Sequence, residues 1–138
     1  MSALALRSKA HWGYPADFLE LWREEMHLHP DEIDGHEVWV AESGTGAMIG
    51  YHRVMNRDPA ELEDLWVEPA AIGSGVGRLL FEHAVGVARS SGASALEIVA
   101  DPHAAAFYER MGAVVIGAVP SQLIPGRTLP RMRLPLDR

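Results

Sequence analysis

Apolar positions change period several times along this chain, and each change marks an element. Phe18, Leu19, Trp22 and Met26 recur at helical spacing, which predicts a short amphipathic helix over 16–27 that Pro30 ends. Ahead of it, Ser2 to Ala10 reads as the end of a helix, and His11-Trp12-Gly13-Tyr14-Pro15 as a loop punctuated by Gly and Pro. The period then falls to two. Glu37 to Glu42 reads as a strand, Ser43-Gly44-Thr45-Gly46 as a hairpin turn, and Ala47 to Met55 as the returning strand, closed by Asn56-Arg57-Asp58-Pro59. Glu61 to Val67 is a third strand. From Ser74 to Ser91 the helical period returns in its strongest form: Leu79, Leu80, His83, Ala84 and Val87 share a face, and Gly92 stops the run. Leu96 to Ala100 reads as a strand, Ala104 to Met111 as a short helix and Val114 to Ile116 as a strand. Pro120 to Pro130 reads as a turn-rich loop and Arg131 to Leu136 as a last strand. The order predicts an α+β fold, a mixed central sheet flanked by helices in a single domain over 1–138, with one βαβ crossover after the third strand. No internal repeat interrupts it.

Composition narrows the class. A chain of 138 residues can bury its own core without staples, and 48% hydrophobic with 22% charged residues is ordinary for a globular protein. Zero Cys excludes a disulfide scaffold, a Cys-zinc site and a thiol nucleophile together. No apolar run approaches the ~20 residues of a membrane span, and the start Met1-Ser2-Ala3-Leu4-Ala5-Leu6-Arg7 is too short and too soon polar for a signal peptide. A soluble cytoplasmic protein with no membrane partner is the expectation. His27, His29 and His36 lack His-x-x-x-His spacing and a nearby Cys, so no metal is expected. The formal net charge of -7 argues against nucleic acid as a partner. Residues 1–68 carry 5 Lys+Arg against 14 Asp+Glu, and residues 69–138 carry 7 against 5. Acid in one half and mild base in the other suits an anionic cofactor and a cationic co-substrate.

The mild base surrounds the most informative stretch, Glu68-Pro69-Ala70-Ala71-Ile72-Gly73-Ser74-Gly75-Val76-Gly77-Arg78, between the third strand and the long helix. Glycines on alternate positions let a backbone approach a ligand closely, and a helix start leaves N–H groups unpaired at the positive end of its dipole. Together they form an anion cradle suited to a pyrophosphate. A nucleotide-triphosphate loop needs Gly-Lys-Ser/Thr at its end, and this chain has Gly77-Arg78-Leu79. A dinucleotide fingerprint needs its glycines at the strand's end, whereas Glu68 to Ile72 intervene here and Arg78 stands where the third glycine belongs.

A third reading comes from resemblance. Ile72-x-x-Gly75-x-Gly77, after a strand ending Leu65-x-Val67, resembles the acyl-CoA loop of the GNAT N-acetyltransferases, whose pattern is Arg/Gln-x-x-Gly-x-Gly/Ala. Downstream, Asp101-Pro102-His103-Ala104-Ala105-Ala106-Phe107-Tyr108-Glu109-Arg110-Met111-Gly112-Ala113 resembles that family's Asn-x-x-Ala-x-x-x-Tyr-x-x-x-Gly-Phe segment. The likeness spans roughly 36–136, with both segments at the family's separation. It implies the GNAT fold and an N-acetyltransferase that passes acetyl directly from acetyl-CoA to a primary amine of a small molecule or peptide. The alternative is a non-catalytic GNAT-like module that binds CoA or a protein.

The resemblance also implies roles. The pantetheine arm would lie along Leu65-Trp66-Val67, held by backbone at Leu65 and Val67, with the Leu65 N–H facing the thioester carbonyl. The pyrophosphate would rest on N–H groups of Gly73, Ser74, Gly75, Val76, Gly77 and Arg78. Of order one lysine-like amine in a thousand is unprotonated at pH 7, so a base is needed. Glu61 and Glu63 stand where family members carry basic residues, and a period of two would put both on the face of Leu65 and Val67. A water relay would serve equally. Tyr108 would be the general acid that reprotonates the leaving thiolate. Trp12 and Tyr14 sit in the loop that borders the acceptor pocket in this fold, and the Pro120 to Pro130 loop lies opposite. Three departures stand out: Ile72 replaces Arg or Gln, Asp101 replaces Asn, and the first strand of the fold is missing. Either the start site lies upstream, or the strand Glu37 to Glu42 has an uncovered edge that invites pairing with another chain, a homodimer being one outcome.

Overall fold

The computed structural model describes residues 37–121 and 124–136. The helices read over 2–10 and 16–27, the loop with Trp12 and Tyr14, the three early histidines and the expectation that a first strand is absent all fall outside the described residues. Six strands form one mixed sheet: β1 (Glu37–Glu42), β2 (Met48–Met55), β3 (Ala60–Val67), β4 (Ala95–Val99), β5 (Val114–Pro120) and β6 (Thr128–Pro135). Their spatial order is β1-β2-β3-β4-β6-β5. Helix α1 (Val76–Ser90) makes the crossover from β3 to β4, and α2 (Ala105–Arg110) follows β4. A crossover of this kind is what lets β4 lie parallel to β3.

The core forms where α1 and α2 meet the sheet. Val54, Leu62, Leu96, Ile98 and Met132 from the strands pack with Phe81, Ala84, Ala88 and Tyr108 from the helices. The face of α1 differs from the expected one. Leu80, Phe81, Ala84 and Ala88 are buried, whereas Leu79 is 68% exposed. Successive helical residues turn by about 100°, so choosing Phe81 as the core residue turns Leu79 outward. Gly50 on β2 faces this helix: a Cβ there would stand 2.7 Å from Leu80 Cδ1 and 3.0 Å from the Trp66 carbonyl oxygen.

Two strand limits also move. β5 runs on to Pro120, and β6 begins at Thr128 rather than Arg131. Pro130 reads as loop in sequence because it lacks an N–H, yet it fits inside β6 through its carbonyl, which accepts the Ala100 N–H at 2.9 Å.

Two irregularities shape the interior of the sheet. Arg53 opposes Asp64 but Val54 opposes Leu62, so Glu63 is an extra residue, a bulge in β3. β3 and β4 pair only from Ala60–Leu62 against Leu96–Ile98. Beyond that point β3 continues with β2 as far as Val67, while β4 continues with β6. The sheet therefore splits, and the two central strands part.

Candidate active site

The split opens a cavity of about 680 Å³. β3 from Leu62 to Val67 forms one wall, and the end of β4 with Ser121, Arg127 and Leu129 forms the other. α2 contributes Phe107 and Tyr108, and the glycine turn closes one end.

Along β3, backbone polarity follows from one bond. The Glu68 N–H donates to the Ile49 carbonyl on the β2 side at 2.8 Å. Amides alternate in direction along a strand, so Trp66 shares that side, while the N–H groups of Leu65 and Val67 are directed across the gap left by β4. An internal sheet edge is thus left open beside the cavity.

The turn at the end of this edge begins with a short 3-10 segment, Pro69–Ala71. Gly73 and Gly75 then take φ of +88° and +93°, the left-handed region in which a side chain would be strained. Gly75 is the N-cap of α1 and supplies no side-chain cap. The Leu79 N–H makes its helical bond to the Gly75 carbonyl at 3.1 Å, so the N–H groups of Val76, Gly77 and Arg78 precede the first intrahelical donor. Those are the groups an anion would meet. Ile72, Gly73, Gly75, Gly77 and Arg78 line the cavity. Ser74 and Val76 are outside the lining. The Ser74 hydroxyl instead donates to the Ala71 carbonyl and steadies the turn.

The acidic residues separate. Residues opposed across β2 and β3 share a face, and Gly50, His52 and Val54, which meet α1, oppose Val67, Leu65 and Leu62. Glu61, Glu63 and Asp64 therefore lie on the opposite face, with Arg53. The expectation that Glu61 and Glu63 share a face with Leu65 and Val67 is corrected, and the bulge at Glu63 is the cause, because an extra residue reverses the alternation. Glu63 and Asp64 line the cavity, whereas Glu61 is outside the lining, paired with Arg57 and 4.0 Å from Arg131. Arg53 bridges the two cavity acids, 3.2 Å from Glu63 and 2.8 Å from Asp64.

Tyr108, on α2, is buried in the core, its ring 5.7 Å from that of Phe81 and 5.2 Å from that of Phe107. Burial, then the negative charges of Asp101 and Asp64, push its pKa well above the ordinary value of 10.0. The phenol is thus neutral at any physiological pH and carries a proton to give. Asp101, at the end of β4, accepts the His103 N–H at 2.9 Å through Oδ1 and meets Arg127 at 3.6 Å through Oδ2. Sequence reasoning missed Asp64 and Arg127 as cavity residues, and Arg53 as the partner of the two cavity acids. Each is placed by strand register, for which the sequence carries no local signal. Among the described residues no group of three metal-ligating side chains occurs, and no helix is long and apolar enough to cross a membrane.

A mixed sheet split beside a crossover helix, with an open strand edge leading to a glycine-turned helix start, defines the acyl-CoA N-acyltransferase class of fold. The chain belongs to the acetyltransferase (GNAT) family, whose model matches residues 5–113. Among solved structures it is similar to a GCN5-related N-acetyltransferase from Rhodopseudomonas palustris, at 22% identity and TM-score 0.84 over 98% of this chain and 87% of that one. It is also similar to nourseothricin acetyltransferase, at 27% identity and TM-score 0.67 over 80% and 71% of the two chains. A third likeness is to an aminoglycoside 6'-N-acetyltransferase complexed with coenzyme A, at 18% identity and TM-score 0.71 over 99% and 89%. No curated protein matches the chain in sequence.

Proposed function

We propose that this protein transfers acetyl from acetyl-CoA directly to a primary amine. The observation that carries the reading is the open edge of β3 running into the bare start of α1, because it offers hydrogen bonds to an extended amide-bearing arm and then to a diphosphate. The Leu65 and Val67 backbone holds the arm, and the N–H groups of Gly73, Gly75, Val76, Gly77 and Arg78 hold the diphosphate, that of Ser74 being given to the Ala71 carbonyl at 3.1 Å. Arg78 and Arg110 add positive charge in the lining.

The amine nitrogen attacks the thioester carbonyl carbon. A C–N bond forms as the C–S bond breaks, and the Leu65 N–H meets the negative charge that develops on oxygen. The proton shed by the nitrogen passes to Glu63, or to water held by it. The departing thiolate takes the proton of Tyr108. Glu63 and Asp64 together outnumber Arg53 by one charge, which favours a cationic acceptor. The names of two relatives put aminoglycosides and nourseothricin at the head of an acceptor panel.

Thiol release from acetyl-CoA across such a panel, extended to polyamines and peptides, tests the proposal. At least one amine is expected to be acetylated. Tyr108→Phe is expected to lower kcat about 100-fold while leaving the acetyl-CoA Kd unchanged. Acetyl-CoA binding with no amine turned over would leave a non-catalytic module instead.

A further inference from the structure

The wall of the cavity that faces β3 is held by very little ladder. The β4–β6 pairing runs through Val99 and Arg131, and the Ala100 N–H reaches the Pro130 carbonyl at 2.9 Å. Asp101 and the turn of the β5–β6 hairpin lie past that last bond, and both line the cavity. Arg127 is the fixed point of this turn. Its carbonyl accepts the Ser121 N–H at 2.8 Å, and its own N–H donates to the Ile124 carbonyl at 3.2 Å. Its guanidinium reaches out of the turn to Asp101 Oδ2 at 3.6 Å.

Asp101 is anchored on its other side. Through Oδ1 it accepts the His103 N–H at 2.9 Å, and its backbone carbonyl accepts the Ala104 N–H at 2.8 Å, immediately before α2 and Tyr108. The side chains of Arg127 and Asp101 are only 18% and 10% exposed, so the pair is shielded from salt more than a surface pair would be.

We propose that Asp101 and Arg127 are positioning residues: their ion pair clasps the β5–β6 turn to the start of α2 and so sets the width of the cavity on the acceptor side, opposite Glu63. The proposal rests on the acetyl-transfer reading for its consequence in catalysis, but the clasp itself does not. An Asp at this position fits the clasp better than the Asn of the family pattern, because an amide keeps the bond to His103 and offers no charge to Arg127. The coenzyme side is built from β3 and the α1 turn, whereas the pair joins the β5–β6 turn to the start of α2, so the two substrates are expected to respond differently.

Two measurements on the full chain test this. In hydrogen exchange, Asp101→Asn and Arg127→Gln are each expected to speed exchange across 120–130, where the Ser121 N–H reports on the turn, and Arg127→Lys to restore most of the protection. In steady-state kinetics with whichever panel amine is acetylated, both variants are expected to raise the KM of that amine about tenfold. The acetyl-CoA Kd is expected to stay within about twofold, and the double variant to be no worse than the poorer single one. Exchange left unchanged in both variants, or an acetyl-CoA Kd that moves in step with the amine KM, overturns the clasp. Should no amine be acetylated by the wild type, the acetyl-transfer reading fails and hydrogen exchange alone decides whether the clasp exists.

Discussion

Glu63 owes its place to the backbone. An extra residue in β3 turns it with Asp64 toward Arg53 and the cavity, while Glu61 two positions earlier is tied to Arg57 and Arg131. Glu63→Gln is therefore expected to lower kcat at least tenfold, and Glu61→Gln to leave it within about threefold of wild type. Equal losses in the two variants would contradict the assignment of the base to Glu63. A second residue-scale consequence concerns His52, fully buried on β2 with Nε2 2.9 Å from Nδ1 of His83. Burial first, and then His83, lowers its pKa from 6.5 to about 4. Between those values the unfolded chain binds a proton that the folded chain excludes, so stability is fully present above 6.5 and falls as pH drops toward 4. The loss is roughly 3 kcal/mol at most. Urea unfolding across this window is expected to show a flatter pH dependence for His52→Leu than for wild type; parallel curves would remove His52 as the source. Which carboxylate meets the cavity and which histidine is buried were not legible in the sequence, because a bulge leaves the run Glu61-Leu62-Glu63-Asp64 looking like any alternating strand.

At the scale of elements, α1 matters through its position rather than its length. Its first turn sits against β2 only because Gly50 has no side chain: a Cβ there would stand 2.7 Å from Leu80 Cδ1, 3.0 Å from the Trp66 carbonyl oxygen and 3.4 Å from Val76 Cγ1. Gly50→Ala is expected to cost about 1–3 kcal/mol in urea unfolding and, by shifting Val76 and its neighbours, to weaken acetyl-CoA binding as well. Stability lost with affinity intact would show that the helix start does not hold the coenzyme. The existence and type of every described strand and α-helix were legible from periodicity, since elements this short still carry their own spacing of apolar residues, whereas the 3-10 segment Pro69–Ala71 was not. Limits and faces were less so. The stripe through Leu79 and Leu80 is shifted because Phe81 claims the core, and β6 starts early because Pro130 needs only its carbonyl in the ladder.

For the molecule as a whole, the fold can be read as two half-sheets, β1-β2-β3 and β4-β6-β5, joined over three residue pairs. The join keeps the halves together, and the parting beyond it exposes the edge of β3 from Leu65 to Val67 in the interior of the described sheet. Sequence motifs located this place because its two markers, the alternate glycines and Tyr108, lie within single elements. The companions Arg53, Asp101 and Arg127 come from three other segments that only the folded register brings together. The central claim is that the parted strands and the α1 start hold coenzyme A by their backbone. A crystal structure with coenzyme A tests it most directly. The diphosphate is expected within hydrogen-bond distance of N–H groups between Gly73 and Arg78, and the arm against Leu65 and Val67. Coenzyme bound elsewhere on the surface, with the gap between β3 and β4 left empty, would contradict it.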